Sequence, residues 1–152
     1  MTWYELLLSL HILSAALWIG SSLAITVITY RLLGAGSGPG LAGFVPAAGW
    51  WASRAHPAAS IVLLVTAGLM IADANLDIEL WIVLALVGWL IAGGLGGSMI
   101  GPRAKELETD LAQSGGTLTD ASRAIAGRLL LATRIELAIL VLVVFDMVAK
   151  PG

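Results

Sequence analysis

Four apolar runs, each close to the length of a bilayer crossing, constrain this chain more than any other feature. A hydrocarbon core of about 30 Å takes about 20 largely apolar residues in a helix that rises about 1.5 Å per residue. The first run covers residues 6–30, with Trp3 and Tyr4 ahead of it as interfacial anchors. The second, 57–72, reaches full length only if its helix starts near Trp50, which puts Arg54 and His56 at the headgroup level. The third, 80–100, follows the acidic turn 73–79, and the fourth, 129–149, stops at Lys150-Pro151 because proline cannot continue a helix. Composition agrees: 59% of the 152 residues are hydrophobic and 12% charged, against about 45–50% and about 25% in soluble domains. The expected fold is therefore all-α, a polytopic membrane four-helix bundle forming one transmembrane domain over 1–152. Its partner is the lipid bilayer. A disordered chain is excluded, the lack of cysteine excludes disulfides and thiolate metal sites, and a net charge of −2 gives no attraction toward nucleic acid.

The connecting segments set the orientation. Residues 34–40 (GAGSGPG) read as a flexible stretch and 41–51 as a segment lying at the interface. Within the polar loop 103–123, residues 103–113 read as a short helix ended by Gly115-Gly116, and Thr119-Asp120 as the N-cap of the next helix. Arg31, Arg54, Arg103, Lys105, Arg123, Arg128 and Arg134 fall on one side, and only Lys150 on the other. The positive-inside rule then turns both termini away from the cytoplasm, as in a multi-pass protein of the bacterial plasma membrane. The first run lacks a basic leader and carries Glu5, so it reads as a retained helix instead of a signal peptide.

Ionisable groups inside a membrane are costly and point either to function or to a buried pair. His11 lies roughly 8 Å below the outer interface at a helical rise of about 1.5 Å per residue. It shares a face with Ser14, Trp18, Ser21 and Ile25. A neutral imidazole there can ligate haem iron or copper, pass a proton, or simply hydrogen-bond a neighbouring helix. Asp146 shares its depth and can either orient the His11 ring or pair with Lys150 one turn on. Met70 and Met147 offer thioethers at that level, so His11, Met70 and Met147 form a candidate copper set, with core packing as the plainer use of methionine. Arg134 and Glu136 each need a partner on another helix; Arg31 is available to Glu136, and Arg134 could contact a propionate or a lipid phosphate. Trp18 is deep enough to wall a pocket. His56 lies most of a bilayer away from His11, so the two cannot both ligate one metal within a single chain. Gly93, Gly97 and Gly101, with Gly94 and Gly96 beside them, allow close approach of a second helix, of another copy, or of a flat ring.

The motif His11-x6-Trp18-x-Gly20 (HILSAALWIG over 11–20), Thr66-Ala67-Gly68-Leu69, Trp81, Pro102-Arg103 and the closing Asp146-Met147-Val148-Ala149-Lys150-Pro151 run along nearly the whole chain. Together they resemble a family of four-helix integral membrane domains of unknown function. That family is distantly similar to HemJ-type protoporphyrinogen oxidases and to the membrane domains of CopD-type copper-resistance proteins. The resemblance implies haem b with His11 as axial ligand, Lys150-Pro151 matching the oxidases' terminal pair, and an electron-transfer or redox role; the residues' own depth and chemistry add Trp18, Asp146 and Arg134 as candidates around the cofactor. Where the oxidases carry a Pro-Arg-Leu segment and a second histidine, this chain has Thr29-Tyr30-Arg31-Leu32-Leu33. Copper or small-solute handling, and a non-catalytic membrane subunit of a larger complex, are the alternative expectations.

Overall fold

The computed structural model describes residues 1–151. Helix α1 spans Trp3–Gly34, α2 Gly38–Asp73, α3 Leu80–Leu95, α4 Gly101–Gln113 and α5 Asp120–Ala149. A π-helical turn, Gly96–Ile100, joins α3 to α4 without a break. The described residues are thus four helical rods with no strand.

The rods start and stop where local chemistry requires. Thr2 and Glu5 form a capping box at the head of α1, each satisfying a backbone N–H of the other's segment. Gly36, at φ +67°, turns the chain, and α2 restarts one residue after Ser37 with Pro39 in its first turn. Gly115 and Gly116, both at positive φ, end α4. Thr119 and Ser122 then cap α5, and both hydroxyls reach the Asp110 carboxylate, which ties α4 to the start of α5. Lys150 closes α5 in the left-handed conformation ahead of Pro151.

Most helices are longer than the apolar runs that announced them. Residues 34–40 and 41–51 are neither a flexible stretch nor a separate interfacial segment, because α2 is already formed from Gly38. Its two internal prolines, Pro46 and Pro57, are spaced widely enough for the turns between them to hold the helix together, while each leaves the carbonyl four residues back without its helical donor. The third run does not stop at residue 100 but continues through the π turn into the polar α4.

Polarity is inverted relative to a soluble domain. His11, Ser22, Thr26, Thr29, Thr66, Thr133 and Glu136 are buried, while Leu13, Ile61, Leu142 and Phe145 are each more than 60% exposed. Helices α1, α2 and the continuous rod Leu80–Gln113 are each long and apolar enough to cross a membrane. This is a multi-pass membrane pattern, with lipid as the solvent for the outer faces.

Packing joins α1 to α2, α3 to α5, and α4 to both α2 and α5. Leu41, Val45, Leu107, Leu111, Ile125, Ala126 and Leu129 form a core where α2 and α5 begin and α4 lies. Trp18, Ala59, Ala92 and Leu140 form a second core deeper in. Gly88 makes the α3–α5 approach possible, since a methyl group there would run into Val143. Helices α2 and α3 barely meet.

Candidate ligand cavity

The gap between α2 and α3 is a cavity of about 450 Å³, inside the range of about 300–1,000 Å³ typical of small-molecule sites. One wall is the face of α2 from Val45 to Ser60, and the other runs from Gly93 through the π turn to Glu108. At about 1.5 Å per residue each wall is roughly 20 Å long. The Lys105–Glu108 ion pair, 3.1 Å, stands at the polar end, and Trp18 of α1 and Glu136 of α5 form the floor.

The floor is a connected polar group. Trp18, 2% exposed, donates from Nε1 to Glu136 Oε1 at 3.3 Å. Its ring stacks on His56 with centroids 6.4 Å apart and planes inclined by 27°. His56 Nε2 lies 2.9 Å from Ser21 Oγ, and Ser21 Oγ lies 2.6 Å from the Leu17 carbonyl. A serine hydroxyl has one proton. Given to Leu17, it leaves Ser21 to accept from His56 Nε2–H, and His56 Nδ1 is then an acceptor. Glu136 is 3% exposed and, among the described residues, forms no ion pair with a lysine or arginine. Ser22 Oγ, buried without a close hydrogen-bond partner among the described residues, and Glu136 both line a second void of about 60 Å³.

The π turn shapes this floor. Gly101 donates to the Gly96 carbonyl five residues back, the widened ladder that recurs at functional sites. A methyl group placed on Gly96 would sit 3.7 Å from Glu136 Oε1, so hydrogen at that position leaves the carboxylate approachable. A methyl group on Gly93 or Gly97 would meet nothing within 4 Å, and both residues line the cavity. The glycine row therefore borders open space within the chain and does not pack one of its helices on another.

His11 is buried, as its helical face predicted, at 8% exposure. Its Nδ1 lies 2.9 Å from Thr66 Oγ1, whose own proton goes to the Val62 carbonyl at 2.7 Å. His11 Nδ1 is then the donor and Nε2 keeps its lone pair, the tautomer a metal or haem iron needs. The imidazole thus has the free lone pair of an axial ligand, and it borders neither of these two cavities. His56 was expected most of a bilayer away. Its contact with Ser21 puts it only about ten residues of α1, or about 15 Å, from His11. That is still too far to share a metal.

Other expected pairings fall elsewhere. Asp146 is not hydrogen-bonded to His11, and its Oδ2 is buried with no partner among the described residues. Lys150 does not pair with Asp146 through its side chain; its Nζ lies over the Trp81 ring at 5.4 Å, and only its backbone N–H reaches the Asp146 carbonyl. Arg31 does not serve Glu136; the Trp18 indole does. Arg134 lies over Tyr30 at 5.6 Å. Met70 follows Thr66 by one turn of α2 and Met147 lies near the end of α5, both half-buried. Among the described residues no group of three or more His, Asp or Glu side chains is arranged to hold a metal ion.

The cavity residue that the apolar pattern alone left at the membrane surface is His56. A signal was present: Gly49, Ala52, Ser53, His56 and Ser60 recur at helical spacing, a small and polar stripe through an otherwise apolar helix. Comparison with protein-family models, with curated proteins and with solved structures found no match to this chain.

Proposed function

We propose that this is a multi-pass membrane protein of the plasma-membrane type that binds a small ligand in the α2–α3 cavity, entering from the basic end of the fold. In this reading α5 is the fourth crossing. Its charges make it less apolar than the other rods: Glu136 is buried and accepts from the Trp18 indole, while Arg134, which is exposed, lies over the exposed Tyr30 ring and snorkels toward the headgroups. Arg31, Arg103, Arg123 and Arg128 lie on or near the segments that meet at the start of α2 and α5, which favours that end as the cytoplasmic one. The observation that carries the proposal is a buried carboxylate and an imidazole on the floor of one cavity. A polar floor that apolar packing could have filled is costly to keep in a membrane.

The lack of cysteine makes a direct test simple. Ser60→Cys at the deep end should react with a membrane-impermeant methanethiosulfonate in inverted vesicles, and far more slowly in right-side-out ones. Leu13→Cys on the exposed face of α1 should stay inert from both sides. Adding Gly97→Leu, whose side chain would project into the cavity, should slow the Ser60→Cys reaction at least about tenfold, the scale expected when a well-formed cavity is filled. A Ser60→Cys as inert as Leu13→Cys would remove the proposal.

A second reading keeps haem b and a redox role, with His11 as the axial ligand. The observation favouring it is the free Nε2. Since His11 lines neither of the two cavities described, this reading has the porphyrin shared with a second copy or another subunit. Protein purified after haem-replete expression should then show a Soret band that His11→Ala abolishes and His56→Ala retains. Absence of the band ends this reading. If the chain is instead a non-catalytic subunit packing through Gly93, Gly97 and Gly101, Gly97→Leu would change its assembly size in mild detergent and leave thiol access unaltered.

A further inference from the structure

We propose that the ligand of this cavity is a small organic cation, an ammonium ion carrying an apolar group, with Glu136 as its counter-charge. The inference rests on the cavity being a ligand site and adds the chemistry of what it takes.

The charges lining the cavity are Glu136, Glu108 and Lys105. Lys105 and Glu108 neutralise each other in their 3.1 Å ion pair at the mouth, so the one charge without a partner is the carboxylate on the floor. That carboxylate accepts a hydrogen bond from the neutral Trp18 indole, and the Ser22 hydroxyl beside it is neutral too. Neutral donors of this kind do not compensate a carboxylate withdrawn from water, so without a cation beside it the group either stays a costly buried charge or takes up a proton. A cationic ligand supplies the missing charge.

The rest of the floor suits an ammonium group. The Trp18 and His56 rings are adjacent, and aromatic rings attract cations. Pro57, which lines the cavity, has no N–H to give to the Ser53 carbonyl, so that acceptor lacks its helical donor beside His56. Gly96 leaves Glu136 Oε1 approachable from the cavity side. Size argues against a bare metal ion. The volume of about 450 Å³ is many times the roughly 30 Å³ share of one water. Hard cations also want six or more oxygens, and the described residues hold no cluster of acidic ligands. Apart from Ser53 and Ser60, the walls are otherwise glycine, alanine, valine and isoleucine, which fit an apolar substituent.

The test uses Ser60→Cys in the full chain, comparing a trimethylammonium methanethiosulfonate with the sulfonate reagent of similar size. Each rate is divided by the rate with a free thiol in solution. The cationic reagent should be favoured on the order of tenfold or more, the lower end of electrostatic focusing in a cleft. Glu136→Gln, which keeps an acceptor for Trp18, should bring the ratio to near one. Phenethylammonium should slow labelling at concentrations where 3-phenylpropanol has little effect. Equal rates for the two reagents in the Ser60→Cys protein, with labelling still blocked by Gly97→Leu, would overturn the cation assignment while the cavity survives. Failure of both reagents to react would overturn the ligand site itself. The first comparison needs no change at Glu136, so a poorly folding Glu136→Gln does not decide the matter.

Discussion

Trp18→Ala is expected to lower the thermal midpoint of the detergent-purified protein by on the order of 10 °C, followed by circular dichroism. Trp18 is 2% exposed and the largest side chain in the deeper core, where it meets Ala59, Ala92 and Leu140. In a membrane the transfer of apolar surface contributes little, because the separated helices are also in lipid. What remains is the void. Removing roughly 140 Å³ at about 24 cal/mol per Å³ gives about 3 kcal/mol. The substitution also strips Glu136 of its indole donor and His56 of its stacking partner. Trp18→Phe separates these contributions: it keeps a ring against His56 but loses the N–H, and should cost about 1–3 kcal/mol for the stranded carboxylate. A midpoint within about 2 °C of the parent for Trp18→Ala would mean that the floor is not assembled as described.

Gly38→Val is expected to have the next largest effect, at the opposite end of the molecule. A side-chain carbon on Gly38 would collide with the Gly116 carbonyl oxygen and lie 3.1 Å from both the Gly116 carbonyl carbon and the Leu118 nitrogen. These are backbone atoms, which cannot rotate aside. Relief requires the start of α2 to move off the α4–α5 turn, disturbing the core around Leu41, Leu107 and Leu111. Overpacking typically costs about 1–3 kcal/mol, and a β-branched side chain against backbone belongs at the upper end. The replacement also removes chain entropy from the unfolded state, a gain of about 0.4–1 kcal/mol that the clash outweighs. Faster proteolysis within 114–119 and a lower midpoint should accompany Gly38→Val. Gly34→Ala, four residues earlier with nothing within 4 Å, should be neutral or slightly stabilising. Equal behaviour of the two variants would refute the close crossing.

The helices were legible because apolar length is a strong signal. Thr119 as the cap of α5, Gly115-Gly116 as the end of α4, and His11 on a buried face all followed from local chemistry that tertiary packing did not override. Helix ends were less legible. A run of small residues such as 41–51 is compatible with helix or loop, and only its docking on α4 decides for helix. The site was legible in pieces: Trp18 as a pocket wall, Glu136 as a charge needing a partner, and the glycines as an open face. Their meeting was not, because it depends on how far α2 slides along α1. Distance from the start of an apolar run placed His56 at the surface, whereas the start of α2 lies well before that run. Charge invited a pairing of Arg31 with Glu136, and geometry chose an indole instead.

The π turn has an effect beyond its own five residues. An α-helix advances about 100° per residue, so a chain one residue shorter between Gly96 and Ile100 would rotate α4 by about that angle relative to α3. Leu107 and Leu111, now wholly inside, would swing away from the interior, and charged neighbours would take their place. The glycine wall and its amphipathic extension are thus held in phase by one surplus residue. This makes the segment a place where length, more than residue identity, is the constrained quantity.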